Sequence, residues 1–262
     1  MQRTPSPRHH LRHLLLAASV LAAAVPLTLG TALASPLDWL RGETVKGSGK
    51  VVAQTRELGH FSALGLSTGG NVEIRLGNSE SVTIEADDNV LPLIETVVEN
   101  GTLRIRPLKK DQRIDTRNLK LVVQARSLER VSMGGSGTVN AERLQGEKLQ
   151  FDVGGSGSIN VGKLSSEAVT ISIGGSGTMK AGGNTERLQV SIGGSGSVQV
   201  GQLAARDAVV SIGGSGQATV YAQKSLSLSV AGSGTIGYYG DPQVSKSVQG
   251  SGSIKRLGGA PQ

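Results

Sequence analysis

Gly134-Gly135-Ser136-Gly137 is the first of a series of four-residue segments that decides how this chain folds. Four further Gly-Gly-Ser-Gly segments and two altered copies follow at 154–157, 174–177, 193–196, 213–216, 231–234 and 249–252. Counted on the second position, the steps between successive copies are 20, 20, 19, 20, 18 and 18 residues. A near-constant period in this range is typical of solenoids and other repeat arrays.

The residues on both sides of each segment alternate between apolar and polar. Around Gly155, Phe151 and Val153 precede the glycine at alternate positions, and Ile159 and Val161 follow it in the same way. The same offsets are apolar in five successive copies. A further apolar position recurs nine residues after the glycine, at Leu144, Leu164 and Leu203. Alternation with a period of two predicts short strands with one buried face.

The recurrence of like residues at like offsets predicts that the repeats stack on one another. Hairpins in a meander would also alternate, but they would not require the same residue type in every repeat. We therefore predict an all-β fold, a right-handed parallel β-helix with coils of about 18–20 residues and Gly-Gly-Ser-Gly corners. Glycine suits such a corner because positive φ costs it nothing and because it permits close approach of neighbouring coils. The predicted structural-turn glycines are Gly135, Gly155, Gly175, Gly194, Gly214, Gly232 and Gly250.

Residues 1–34 have the features of a secretory signal peptide. Arg3, Arg8 and Arg12 make the start basic, an apolar stretch follows, and Ala32-Leu33-Ala34 is a small-x-small cleavage site. The apolar stretch is shorter than the roughly 20 residues that a bilayer span needs, so we expect cleavage and no membrane span in the mature chain. Export to the periplasm, the outer-membrane surface or the extracellular space follows. The chain has no cysteine, which excludes disulfides and a cysteine-linked lipid anchor.

The mature chain divides by composition into four parts. Residues 35–50 are rich in glycine and resemble a linker, and 258–262 form a short tail. Residues 131–257 carry the regular repeats. Residues 51–130 are β-rich without the repeat, and Asn100-Gly101 predicts a hairpin there. This region is either an irregular part of the same solenoid or a cap on its end, since a solenoid with an open end exposes apolar surface and strand edges.

The last repeat places charges where earlier repeats are apolar. Lys246 and Arg256 fall at offsets that hold apolar residues in the preceding copies. Charged residues at inward positions are one means by which proteins protect a terminal strand edge from unwanted pairing. We therefore expect the solenoid to end in this copy.

Composition argues against several classes of ligand. Without the signal peptide the chain has 24 basic and 20 acidic residues, with no run of five or six like charges, and only six aromatic residues in total. Nucleic-acid binding is therefore not expected. The glycine segments are followed by strands rather than by a helix with a lysine, which argues against a phosphate-binding loop. No carboxylate stands at the corner, which argues against calcium-binding repeats, and no cofactor is expected.

A serine recurs at the third position of every copy. These serines are Ser136, Ser156, Ser176, Ser195, Ser215, Ser233 and Ser251. Seven equivalent hydroxyls are unlike one catalytic nucleophile, and His60 is the only histidine outside the signal peptide that could serve as its base. The favoured interpretation is a ladder of hydroxyls bonded between coils, and the alternative is a polar ridge that contacts a partner. Asp87-Asp88 is interpreted as a solvated turn.

Three features together resemble the bacterial family called “putative auto-transporter adhesin, head GIN domain”: the signal peptide, the β-rich lead-in with Asn100-Gly101-Thr102-Leu103, and the Gly-Gly-Ser-Gly series. The resemblance covers residues 58–238 and implies an exported or envelope-attached β-solenoid, without catalytic residues to transfer. The sequence predicts an exported, non-enzymatic envelope or surface protein whose repetitive polar face contacts a glycan or a surface protein. The alternatives are a carbohydrate-active enzyme, a polysaccharide lyase or hydrolase with carboxylates in a β-helix groove, and a structural periplasmic protein without a ligand.

Overall fold

A computed structural model describes residues 44–261 of the 262-residue chain. The predicted signal peptide, most of the predicted linker and Gln262 lie outside the described residues. Within residues 44–261 there is no α-helix, and a single 3₁₀ turn spans Leu91–Leu93. None of these residues forms a helix with the length and hydropathy of a membrane span.

Eighteen strands make up most of the described chain. Their bounds are β1 Thr44–Lys46, β2 Val51–Glu57, β3 Ala63–Leu66, β4 Asn71–Leu76, β5 Ser81–Asp87, β6 Ile94–Glu99, β7 Thr102–Pro107, β8 Arg113–Asp115, β9 Lys120–Ala125, β10 Arg130–Met133, β11 Thr138–Val153, β12 Ser158–Ile173, β13 Thr178–Ile192, β14 Ser197–Ile212, β15 Gln217–Ala231, β16 Thr235–Tyr239, β17 Gln243–Gln249 and β18 Ser253–Gly258. The strands β1 and β8 form a separate two-stranded parallel sheet. The remaining sixteen belong to one continuous sheet.

The predicted parallel β-helix is confirmed in strands β11 to β15. Each of these strands runs from one Gly-Gly-Ser-Gly corner to the next and pairs in parallel with the strands before and after it. Like residues stack on like: Val139 pairs with Ile159, which pairs with Met179. The chain stays extended all the way from one glycine corner to the next. Each coil is therefore one long strand of 15 or 16 residues, and not the series of short strands that the sequence predicts.

Differences in coil length are absorbed at the corner opposite the glycine segments. The register between β12 and β13 shifts between Val161 and Leu164, and the register between β13 and β14 shifts between Lys180 and Gly182. The pairing around the Gly-Gly-Ser-Gly corner keeps its register in the same coils. The steps of 18 to 20 residues in the sequence therefore come from the opposite corner, where bulges are tolerated.

The alternating apolar residues form the core. Ladders of buried side chains run through the coils, and one of them contains Phe151, Ile171 and Val190, each no more than 1% exposed. Leu144, Leu164 and Leu203 supply the third apolar position and are fully buried, at 1% exposure or less. Each coil therefore buries its apolar residues against the equivalent residues of its neighbours.

The region before the regular repeats stacks in an order that differs from the chain order. Strand β3 lies between β7 and β10, and β4 lies between β9 and β11. The chain thus forms an inner layer first, passes outward to build the layer of β7 and β9, and then returns past the inner layer to begin the repeats. Ser67-Thr68-Gly69-Gly70 occupies the corner position of the inner layer. The Gly134 amide donates to the Leu66 carbonyl just before this corner, and the Thr138 amide donates to the Gly70 carbonyl at its end.

Antiparallel strands cover the end of the stack formed by β7 and β9. Strand β6 pairs with β7 through the predicted hairpin at Asn100-Gly101, where both residues have positive φ. Strand β5 pairs with β9, and β2 pairs with the outer side of β5. The other end of the stack is formed by β17 and β18, which pair only with β15 and β16 within the described residues.

Candidate contact surface

The backbone of each corner continues the parallel ladder through the turn. The Gly174 amide donates to the Val153 carbonyl at 2.9 Å, and the Ser176 amide donates to the Gly155 carbonyl at 3.2 Å. The Thr178 amide then donates to the Gly157 carbonyl at 3.0 Å. Three hydrogen bonds therefore hold one corner directly over the previous one, and the corners form a straight edge along the solenoid.

The second and fourth positions of the segment require glycine because neighbouring coils touch there. In all seven copies a Cβ added to the second residue would lie closer than 3.0 Å to a carbonyl oxygen of the preceding layer. At the fourth residue an added Cβ would meet the previous coil as well, as at Gly216, where Ile192 Cγ2 would lie at 2.5 Å. Positive φ occurs at the second position only in Gly232 and Gly250, so close approach, and not backbone conformation, explains the first five.

The first position of the segment has no such requirement. No heavy atom lies within 4 Å of a Cβ added to Gly174, and the nearest atom to one added at Gly154 is 4.0 Å away. Ala231 and Gln249 occupy the same position in the last two copies. The last two copies therefore replace glycine only at the first position, where a side chain fits. They keep glycine at the second and fourth positions, where an added side chain would clash with the preceding coil.

All seven corner serines are exposed to solvent. They are the residues Ser136, Ser156, Ser176, Ser195, Ser215, Ser233 and Ser251. None of their hydroxyl groups has a hydrogen-bond partner within residues 44–261, so the hydroxyl ladder expected between coils is not formed here. The hydroxyls point outward from a corner whose backbone groups bond to one another, and they remain available to a partner.

Two further columns of hydroxyl groups flank the corner serines. The column after the corner contains Thr138, Ser158, Thr178, Ser197, Thr235 and Ser253, interrupted by Gln217. The column before the corner contains Ser172, Ser191, Ser211, Ser229 and Ser247, preceded by Ser132 and Asp152. We call the three columns together the serine ridge. Neighbouring coils repeat about every 4.8 Å along it.

His60 is engaged with a carboxylate rather than with a serine. Its Nδ1 lies 2.6 Å from Oε1 of Glu80, whose side chain is 7% exposed, whereas the His60 ring is 69% exposed. No serine hydroxyl is a hydrogen-bond partner of His60 in the described part of the chain. Within the same residues no three His, Cys, Asp or Glu side chains are grouped in a way that could hold a metal ion.

Asp87 is buried, which contradicts its interpretation as part of a solvated turn. Its side chain is 1% exposed and accepts hydrogen bonds from Thr116 Oγ1, from Asn118 Nδ2 at 3.0 Å and from the Gly49 amide at 2.9 Å. The Thr116 hydroxyl bond, followed by the Asn118 amide bond, lowers the pKa of this carboxyl group below its ordinary value. Asp87 therefore connects the segment before β2 to the loop before β9. The sequence pattern around Asp87 could not predict these partners, because they are far from it along the chain.

A comparison with protein families identifies the chain. Residues 60–242 match the family described as “putative auto-transporter adhesin, head GIN domain”. The chain belongs to this family. No curated protein sequence matches the chain. The match confirms the resemblance predicted from the glycine segments and extends from His60, beyond the regular repeats, into the N-terminal layers.

Solved structures from other bacteria share the fold. A “putative adhesin” from Bacteroides fragilis is 25% identical with a TM-score of 0.77, over 81% of this chain and 100% of the other. A “putative lipid binding protein” from Parabacteroides distasonis is 24% identical with a TM-score of 0.68, over 82% and 100%. A “putative adhesin” from Parabacteroides merdae is 22% identical with a TM-score of 0.67, over 82% and 100%. The head GIN domain chain is thus similar over its described length to whole chains of known structure.

Proposed function

We propose that this head GIN domain protein is an exported, non-enzymatic adhesin that presents the serine ridge to a glycan or a protein on another surface. The observation that carries this proposal is the set of seven exposed corner hydroxyls, which have no hydrogen-bond partner within residues 44–261. An array of equivalent donors and acceptors on a rigid edge supports many weak contacts at once, and linked weak contacts give high avidity. It does not create one singular reactive environment, which catalysis by a serine would need.

The family description and the predicted signal peptide support the proposal from two independent directions. The family is described as a head domain of adhesins, and residues 1–34 have the composition of an export signal. The B. fragilis protein with the same fold is also described as a “putative adhesin”. Each of these supports the proposal of contact with an external surface.

Protease shaving of intact cells tests the location. The chain carries an epitope tag after Gln262, and a periplasmic protein serves as the control. We expect the tag to be lost from intact cells while the periplasmic control survives. Protection of the tag until the outer membrane is opened would refute the adhesin role, because a periplasmic protein cannot reach another cell.

Replacement of ridge hydroxyls tests the contact surface. The triple variant Ser156→Ala, Ser176→Ala, Ser195→Ala removes three adjacent hydroxyls without adding volume. We expect cells that display it to adhere to their target surface several-fold less than cells with the parent protein, since avidity falls steeply when linked contacts are lost. The matched control changes Ser79, Ser127 and Ser165, which are exposed and belong to none of the three ridge columns. Equal adhesion by both triple variants and the parent would contradict the ridge as the contact surface.

A further inference from the structure

A concave surface lies beside the serine ridge, on the strand segments that follow each corner. It is a groove of about 600 Å³ that crosses successive coils. Its floor contains Gly162, Gly182 and Gly201, which have no side chains to fill it. One wall is a column in register, formed by Asn160, Lys180, Gln199 and Thr219. The groove therefore follows the solenoid axis and is open to an elongated ligand.

An aromatic side chain closes one end of this groove. Tyr239 is half-buried, and its ring lies over the floor: Cε2 is 3.3 Å from the place that a Cβ on Gly201 would occupy. The methyl group of Thr219 lies 3.2 Å from the same place. The absence of a side chain at Gly201 thus makes room for the ring. A partly exposed aromatic ring beside polar groups offers an apolar platform with a polar rim.

One charged side chain faces this groove among its described lining residues. Lys180 is exposed, and no carboxylate of residues 44–261 lies within salt-bridge distance of it. Asn160 and Gln199 lie one coil away on either side of it, at about 4.8 Å per coil. The Asn160 Nδ2 group donates to Asn140 Oδ1 at 3.0 Å. This bond holds the side-chain amide of Asn160 in one orientation, so that its Oδ1 atom can accept a hydrogen bond from a ligand hydroxyl.

Charges of both signs line the same surface farther along. Past Asn160 and Gly162 the depression continues, and its charged lining residues are Glu73, Glu85, Glu142, Arg75 and Lys120. Glu73 is paired with Arg75 at 2.8 Å, whereas Glu85 and Glu142 have no ion-pair partner in the described chain. A ligand carboxylate would be attracted to Lys180, whereas in this stretch the three carboxylates offset Arg75 and Lys120. The groove therefore favours a ligand whose negative charge lies beside Lys180.

We propose that this groove binds one acidic sugar unit of a glycan. The carboxylate of a uronic acid or a similar sugar pairs with Lys180, the apolar face of the ring packs on Tyr239, and its hydroxyls bond to Asn160 and Gln199. Neutral units of the same glycan extend toward Asn140. The proposal deepens the adhesin function and rests on it only in taking a glycan as the partner, since the groove residues are separate from the corner serines.

Binding of two matched trisaccharides to the purified protein tests this assignment. One trisaccharide ends in glucuronate and the other ends in glucose, so they differ only in the carboxylate. We expect calorimetry to show binding of the acidic sugar that weakens as salt is added, and at least roughly tenfold weaker binding of the neutral one, since a charge-assisted hydrogen bond contributes about 1.5–3 kcal/mol. Equal affinity for the two sugars, or no binding of the acidic one, would overturn the proposal.

Substitutions at Lys180 and Tyr239 test which groove side chains contact the sugar. Lys180→Met is expected to lose about tenfold in affinity for the acidic sugar, and Lys180→Arg to retain most of it. Tyr239→Leu is expected to lose roughly fivefold for both sugars, since aromatic packing is worth about 0.5–1.5 kcal/mol. Lys163→Met is the control, because it removes the same charge from an exposed lysine outside the groove. Unchanged affinity in Lys180→Met, with native circular dichroism, would overturn the assignment.

Different experimental results would refute the adhesin function and the acidic-sugar site. The triple serine variant is expected to bind the acidic trisaccharide as the parent does, because it leaves the groove intact. Retained trisaccharide binding by a protein that shaving places in the periplasm would refute the adhesin role and keep the sugar site. Surface exposure without trisaccharide binding would keep the adhesin role and refute the sugar site.

Discussion

At the scale of single residues, the four positions of the glycine segment have different physical roles. The second and fourth positions touch the backbone of the preceding coil, where even a methyl group has no room. The first position is open, and the third carries a solvent-facing hydroxyl. Packing therefore requires glycine at the second and fourth positions of the segment, and it leaves the first and third positions free to vary.

Two neighbouring glycines allow a direct test of this difference. Gly175→Ala is expected to destabilise the protein by about 3 kcal/mol or more, because its Cβ would overlap the Gly155 carbonyl and force the coils apart. Gly174→Ala is expected to change stability by less than about 1 kcal/mol, since no atom lies within 4 Å of its Cβ. Urea unfolding of both variants measures the difference. Equal destabilisation by the two substitutions would refute the close-contact explanation.

Asp87 is the second residue whose environment decides its role. Because hydrogen bonds from Thr116 and Asn118 lower its pKa in the folded protein, its ionised form stabilises the fold above the ordinary aspartate pKa of about 3.9. This contribution is lost as the pH falls through the lowered, folded-state pKa. Acidification therefore removes part of the tie between the segment before β2 and the loop before β9.

Substitution by asparagine isolates this pH dependence. Asp87→Asn is expected to lower the melting temperature at pH 7, and the difference from the parent is expected to shrink as the pH falls below about 4. Asp241→Asn serves as the control, because that side chain is 93% exposed and its ion pair with Arg256 is at the surface. Thermal melts from pH 7 to pH 2.5 give the comparison. A difference that stays constant over this range would show that the carboxylate charge is not what stabilises the loop.

At the scale of strands, the two ends of the stack are finished in different ways. Strands β2, β5 and β6 cover the N-terminal layers with antiparallel pairing, whereas β17 presents an outer edge that no described strand covers. On β17, Val244 and Val248 are 39% and 43% exposed, and Lys246 lies between them in register with buried Leu228. The lysine interrupts an apolar stripe that would otherwise be ready to stack on another strand.

Removal of this charge is expected to make the end of the solenoid self-associate. Lys246→Leu completes the apolar ladder of Val244 and Val248 on an unpaired edge, so sedimentation velocity is expected to show concentration-dependent dimers or larger species. Ser247→Leu is the matched control, because it adds the same side chain to the outward face of β17. If both variants stay as dispersed as the parent, the lysine does not protect this edge.

At the scale of the whole molecule, the stacked coils align single side chains into long columns. One corner serine is an unremarkable surface residue, but seven in register make an edge that repeats with the coil spacing. The same stacking lines up Asn160, Lys180 and Gln199 along a groove that ends at Tyr239. Both proposed binding surfaces are therefore consequences of a constant register, which the backbone ladder at the corners maintains.

The N-terminal layers show what chain order conceals at this scale. Strands β3 and β4 lie between layers that follow them in sequence, so the stack is not built in the order of the chain. Local patterns predict strands and turns, such as the hairpin at Asn100-Gly101, because these depend on neighbours in sequence. They do not specify which strand lies beside which when the partners are 39 to 67 residues apart and equally apolar.

The sequence by itself determined the repeat, the all-β class, the buried ladders and the corner glycines. These follow from periodicity alone, since a side chain that recurs at one offset must face one environment in every coil. Only the tertiary structure decided the free corner hydroxyls, the burial of Asp87, the order of the N-terminal layers and the groove beside Lys180 and Tyr239. Each of these depends on side chains from different coils or loops meeting in space, and their distances are set by stacking and register rather than by the local pattern.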